Sequence, residues 1–213
     1  MRPESSHAPL EAAFPRALRD DVQVVLRLLP PARFSSSPSF SATVQGEDIA
    51  IPYRLYNDEP TGSADAALTP VQSAILHCLY TRHHDGVVRQ RHLERVVGVA
   101  EPWIAPYVVQ LVGEYVVEIV VAARKGLVDL DAPDSRQHAV YGAFVAANRT
   151  LFDTTQRRAV SYWSCYYRHR YETFQSYPGC GLLDSLWNAA THRTGQPRSR
   201  LIPVTRARSL RDA

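Results

Sequence analysis

The stretch TPVQSAILHCLYTRHHDGVVRQRHLERVVGVAEPWIAPYVVQLVGEYVVEIVVAARKG, residues 69–126, decides the fold class. Thr69-Pro70-Val71-Gln72 combines a capping box with proline at the first helical position, a strong helix start. Val71, Ile75, Cys78 and Leu79 supply its buried face, and the His83-His84-Asp85-Gly86 turn ends it. A second helix, about Val87 to Val97, is expected to bury Val88, Leu93, Val96 and Val97 and to expose Arg89, Arg91 and Arg95, with Gly98 as its C-cap. A third begins near Glu101-Pro102 and runs to Arg124-Lys125-Gly126. Those bases favour the negative helix end, and the glycine suits a left-handed cap. Between them only Gln110, Glu114 and Glu118 interrupt the apolar surface, as one polar line with a four-residue step. A helix apolar almost all round belongs at the centre of a fold.

Upstream, residues 57–68 read as a polar linker. Before it, Phe40, Ala42 and Val44 alternate with Ser41 and Thr43, and Ile49, Ile51, Tyr53 and Leu55 alternate beyond Gln45-Gly46-Glu47-Asp48. That is a β-hairpin over about 40–56, with Pro52 suited to an edge strand. An isolated hairpin is marginal in water, so it must lie on the helices. Pro15 fits the first position of a helix that carries Leu18, Val22, Val25, Leu26 and Leu29 and stops at Pro30-Pro31. Residues 1–14 read as a mobile N-terminus on which Leu10 and Phe14 are able to dock.

Downstream, a fourth helix follows Pro133-Asp134, and a fifth starts near Asp153-Thr154-Thr155 and is broken by Tyr177-Pro178-Gly179. A last short one spans about Cys180 to Ala190, and residues 191–213 read as a disordered basic tail. The expected architecture is therefore mainly α: a single helical-bundle or HEAT-like domain over 15–190 with a small N-terminal β-hairpin.

Bulk properties narrow the function classes. The chain has 213 residues, 45% of them hydrophobic and 21% charged, ordinary values for a globular domain. A formal charge of +3 does not by itself imply a nucleic-acid partner. Lys125 is the one lysine; every other base is arginine, which reads as the codon bias of a GC-rich genome. Cys78, Cys165 and Cys180 form neither a disulfide framework nor a zinc ribbon, so a reduced, cytoplasmic protein is expected. MRPESSHAPLEAAF lacks the apolar run of a signal peptide. Trp103 to Val121 approaches membrane-spanning length, but Gln110, Glu114 and Glu118 near its middle argue for a buried soluble helix.

Three resemblances compete for the decisive stretch. His83-His84-Asp85-Gly86-Val87-Val88-Arg89 resembles the hairpins of HEAT-type repeats, which place an Asp in the turn and Val-Arg at the start of the second helix. That resemblance covers about residues 69–121 as one unit, and implies a protein-binding scaffold. The same order of helices is similar to a winged-helix nucleic-acid-binding domain. Its reading helix would start at Pro102, yet no Lys or Arg occurs between Arg95 and Arg124 to contact base edges. Finally, His84-Asp85 with His77 upstream resembles the metal signature of HD-type phosphohydrolases. That implies His77, His84 and Asp85 as metal ligands, with Asp129 or Asp131 and Glu114 or Glu118 available to complete the set.

A buried carboxylate must be paired or neutralised. Glu114 and Glu118 are thus expected to meet Arg89 or the arginines of the fifth helix. Gln110, Glu114, Glu118, Arg89, Arg168 and Arg170 together make a candidate polar site. Tyr162, Trp163, Tyr166, Tyr167 and Tyr171 interleave with Arg157, Arg158, Arg168 and Arg170, a pattern that either packs a core edge or holds an anionic partner. The leading expectation is a non-catalytic interaction protein with a protein partner and no cofactor. The hydrolase and the nucleic-acid binder are its alternatives.

Overall fold

The structure is a computed structural model that describes residues 8–35, 37–60 and 67–195. It is mainly helical, with one small antiparallel sheet near its start. The first short helix, α1 (Ala8–Glu11), packs rather than floats: Leu10, Ala13 and Phe14 are buried. Phe14 stacks on Tyr107 at 5.4 Å, and the Tyr107 hydroxyl donates to the Ala13 carbonyl at 2.7 Å. Of the segment expected to be mobile, residues 8–14 belong to the body, and 1–7 lie outside the described residues. Pro15 introduces a single 3-10 turn, Arg16–Leu18, before α2 (Arg19–Leu26).

The hairpin pairs β1 (Ser39–Val44) with β2 (Glu47–Pro52), Val44 opposite Glu47 and Ser39 opposite Pro52. It ends sooner than expected and turns on two residues, not four. Gln45 and Gly46 have φ of 51° and 86°, the tight type I′ geometry that follows strand twist. Phe40, Ala42 and Val44 of β1 and Ile49 and Ile51 of β2 are buried, as alternation requires.

Helix α3 (Pro70–Tyr80) carries the expected capping box: Thr69 Oγ1 accepts from the Gln72 amide at 3.2 Å and Gln72 Oε1 from the Thr69 amide at 3.1 Å. Helix α4 (Gly86–Val96) packs against it, with Asp85 as N-cap. The third expected helix is two. It divides into α5 (Ala105–Leu111), buried at every residue, and α6 (Val117–Gly126). Gly113 stands in the break. A Cβ on Gly113 would lie 3.0 Å from the Thr155 carbonyl oxygen and 3.3 Å from Arg158 Cβ, so glycine lets the helix that carries Thr155 and Arg158 press against this point. Tyr167 then stitches the gap: its hydroxyl accepts from the Val117 amide at 3.2 Å and donates to the Tyr115 carbonyl at 2.7 Å. That satisfies one of the amides that a helix start leaves open.

The remaining helices are α7 (Arg136–Ala147), α8 (Arg149–Tyr162), which runs into a π turn at Trp163–Tyr167, and α9 (Pro178–Thr194). Helix α8 starts before the expected Asp153, and α9 outruns Ala190; Gly195, with φ of 66°, closes it in left-handed geometry. Of the expected tail, residues 196–213 lie outside the described residues. Gly98 and Gly126 are not left-handed caps. Gly126 answers to packing instead, since a Cβ there would fall 2.0 Å from Val97 Cγ1. Likewise Gly142 lets α7 and α9 cross closely, with a Cβ position only 2.5 Å from the Ala189 carbonyl oxygen. No helix among the described residues is long and apolar enough to cross a membrane.

Candidate functional site

Three parts of the fold deliver charge to one buried point. The chain after β2 runs beside the α3–α4 turn: the Leu55 amide donates to the Arg82 carbonyl at 2.7 Å, and the His84 amide to the Leu55 carbonyl at 3.0 Å. That pairing brings Arg54 next to Arg82. Arg89, in the first turn of α4, folds back so that Nη1 donates to the His83 and His84 carbonyls, each at 2.9 Å. Glu114, in the break between α5 and α6, points at all three arginines.

The contacts form a knot. Arg54 grips Glu114 with both terminal nitrogens, Nη1 to Oε1 at 3.2 Å and Nη2 to Oε2 at 3.3 Å. Arg82 Nη2 reaches Oε1 at 3.4 Å, and Arg89 Nη2 reaches Oε2 at 3.3 Å. Arg82 Nη1 donates to Gln110 Oε1 as well. The side chains of Glu114, Arg82 and Arg89 have 0% exposure, and Arg54 is 23% exposed. Burial alone would raise the Glu114 carboxyl; Arg82, Arg54 and Arg89 outweigh it and hold the group below the usual carboxylate range. Burial likewise pushes Arg82 down, to about 9, against the pull of Glu114, so it keeps its charge at neutral pH. Three guanidinium groups share one carboxylate, and Arg158 adds a further positive field at Arg82. The knot carries surplus positive charge.

That charge lies under an aromatic surface. Tyr115 is 45% exposed, with the Arg89 guanidinium 5.9 Å from its ring centre. Tyr115 meets Tyr162 at 6.1 Å, and Tyr162 meets Tyr166 at 6.3 Å. Arg158 sits 5.9 Å from the Tyr53 ring and 6.0 Å from Tyr162. Tyr166 is 58% exposed, and Arg157 and Arg168 are exposed beside it. Among the described residues, Arg157, Arg158, Arg168 and Arg170 form no ion pair with an acid.

The structure brings together half of the expected polar site. Gln110, Glu114 and Arg89 meet, but Arg89 is fully buried rather than exposed. Glu118 does not join them. The helix break parts it from Glu114, and it lies on the surface in a shallow groove with Gln90, Lys125 and Arg170. Arg168 and Arg170 stack on Trp163 and Tyr171 at 5.6 and 5.4 Å and do not reach Glu114. Asp85 is engaged as the α4 cap, accepting from the Val87 amide at 2.8 Å, and His84 stacks on Tyr56 at 5.6 Å. His77 contacts His92 instead, Nδ1 to Nδ1 at 2.8 Å. No three His, Cys, Asp or Glu side chains among the described residues are grouped to hold a metal ion. Helix α5, buried throughout, has no free face for a nucleic-acid groove.

Arg54 and Arg82 are the members that sequence reasoning missed. Arg82 did leave a signal: it is the one Lys or Arg between Thr69 and Val88, directly after an apolar helix. Arg54 left none, because it joins the knot through a chain pairing that no local pattern encodes. No protein-family model matches the chain, nor does a curated protein or a solved structure.

Proposed function

We propose that the protein is a non-catalytic interaction protein, built on a HEAT-like α3–α4 hairpin, that docks a protein partner on the Tyr115–Tyr162–Tyr166 face. One observation carries this: three tyrosines line up on the surface above guanidinium groups that outnumber their carboxylates. Tyrosine and arginine are the residue types that dominate binding energy at protein interfaces. The surplus charge selects a partner that presents carboxylates among apolar side chains. The hydrolase alternative has less support, since Asp85 is spent on capping and His77 on His92.

A single-stranded nucleic acid also suits stacked aromatics and arginines, so the test sets the two against each other. Anisotropy is measured with a labelled peptide of alternating Glu and Leu and with an oligothymidine of equal charge, at about 0.15 M salt. The peptide is expected to bind, and Tyr166→Ala or Arg168→Glu to weaken it about tenfold or more. Absence of peptide binding overturns the proposal. So does tighter binding of the oligothymidine with a steep salt slope, which favours the nucleic-acid reading.

A further inference from the structure

Helix α7 is not covered all round. Ala139 and Ala147 are exposed and Val140 and Ala143 half-buried, an apolar strip along one side of the helix. The hairpin tip stands beside this strip, and the two border a groove of about 370 Å³. Val44 and Phe144, both buried, complete its apolar lining together with Pro102.

The walls of the groove are held in place. Val44 faces Glu47 across the two-residue turn, so the amide and carbonyl of Thr43 point away from β2. Asn148, buried just after α7, takes the place of a further strand. Its Oδ1 accepts from the Thr43 amide at 2.7 Å, and its Nδ2 donates to the Thr43 carbonyl at 2.8 Å and to the Phe144 carbonyl at 2.9 Å. The hairpin edge is thereby tied to the end of α7. On the other side, the close approach of Gly142 to Ala189 fixes α9 against α7, and Arg193, one turn beyond Ala189, lines the groove. A groove already held open needs no ordering when it is filled.

Its charge is one-sided. Arg193 is the only charged side chain in the lining; it is exposed and pairs with no acid among the described residues. Thr43 and Gln45 add neutral hydrogen-bonding groups. The volume falls in the range of about 300–1,000 Å³ that small ligands occupy. An apolar cation would meet Arg193, and a dianion would bring a second charge that nothing in the lining matches. An apolar body with one negative end fits, and the planar guanidinium suits a carboxylate.

We infer that this groove is a binding site for an apolar monocarboxylate of the medium-chain fatty acid type. Arg193 takes the carboxylate, and the α7 strip with Val44 and Phe144 takes the hydrocarbon. The site shares no lining residue with the tyrosine row. Arg193 lies in the last turn of α9, whose negative end tempers its pull on an anion, so a dissociation constant of about 0.1 mM is expected.

The probe is octanoate, titrated into the full chain by calorimetry at two temperatures. It should bind with a negative heat-capacity change, the mark of apolar burial. Octanol, the same hydrocarbon without the charge, should bind about tenfold more weakly, and octylamine not at all. Arg193→Gln should bind octanoate and octanol alike. Ala147→Leu, at an exposed position where leucine suits a helix, should fill part of the groove and weaken both ligands about tenfold. Tyr166→Ala should leave octanoate binding unchanged, so this site and the tyrosine face stand or fall separately. The proposal is overturned by no octanoate binding at millimolar concentration, by octanol binding as tightly as octanoate, or by an Arg193→Gln variant that binds octanoate like the parent. Loss of octanoate binding with Tyr166→Ala also overturns it, since the carboxylate would then sit among the tyrosines. So does a dimer that Ala147→Leu dissociates in sedimentation, because a second copy of the chain would then cover the groove.

Discussion

Replacing Glu114 by glutamine keeps the shape of the knot and removes its only carboxylate. Arg82 and Arg89, both with 0% exposure, and Arg54 would be left facing one another without a counter-charge. Breaking a buried ion pair by removing one partner costs about 3–5 kcal/mol. That is a large part of the ~5–15 kcal/mol that holds a domain together. At about 2–4 °C per kcal/mol for a chain of this size, Glu114→Gln should lower Tm by roughly 6–20 °C. Arg54→Ala should cost far less, about 1 kcal/mol or below, because water reaches this side chain and two arginines still hold the carboxylate. Arg82→Met should fall between the two, since it reduces the surplus positive charge while it empties a buried contact. Urea and thermal denaturation of the three variants measure the order. The pH dependence supplies a further check. The folded pKa of Glu114 is depressed, so its contribution is complete above the ordinary carboxylate value, about 4.3, and is lost as pH falls through the folded value. The gap between parent and Glu114→Gln should therefore stay constant near neutrality and close only in acid. A Glu114→Gln variant that melts within about 2 °C of the parent, or Arg54→Ala as the more damaging change, would refute the account.

Two further substitutions test the α7–α9 crossing and the stitch across the helix break. Gly142→Ala puts a methyl group 2.5 Å from the Ala189 carbonyl oxygen, a backbone atom with no rotamer to change, and should cost about 1–3 kcal/mol or more; an unchanged Tm in thermal denaturation would show that α7 and α9 do not cross so closely. Tyr167→Phe removes the hydroxyl that serves both the Val117 amide and the Tyr115 carbonyl, at about 1–3 kcal/mol. Hydrogen exchange at the Val117 amide should quicken with it, and unaltered protection would count against the stitch.

The fold class and the element order were legible because they rest on local rules. The Thr69 box, the Asp85 turn and the alternation of the hairpin each act within a few residues, and each stands where expected. What failed was whatever depends on a distant neighbour. The third helix reads as continuous through Gly113, and the approach of Thr155 of α8 to that glycine has no local signal. Gly126 reads as a cap until Val97 fills the place of its Cβ. The demand that Glu114 find a cation is legible from its apolar context, and Arg89, an expected partner, does meet it. Arg54 and Arg82 depend on the pairing of Leu55 with the α3–α4 turn, a contact between segments that the linker separates in sequence.

The helix break and the knot explain each other. In one continuous helix, Glu114 and Glu118 would share a face, and both would be buried or both exposed. Parting the helix at Gly113 lets Glu114 turn inward to the arginines while Glu118 stays at the surface. The ion pairs in turn make the break tolerable, since a buried charge without them would cost more than the helical turn that is lost. Tyr115 follows Glu114 directly, and its carbonyl is fixed by Tyr167 while its ring lies over Arg89. The place of Tyr115 on the surface is therefore tied to the Arg89 that pairs with Glu114 below it. Among the described residues Glu114 is the acid with no exposure, and the positive charge it leaves uncompensated is the charge that the proposed carboxylate-bearing partner would meet.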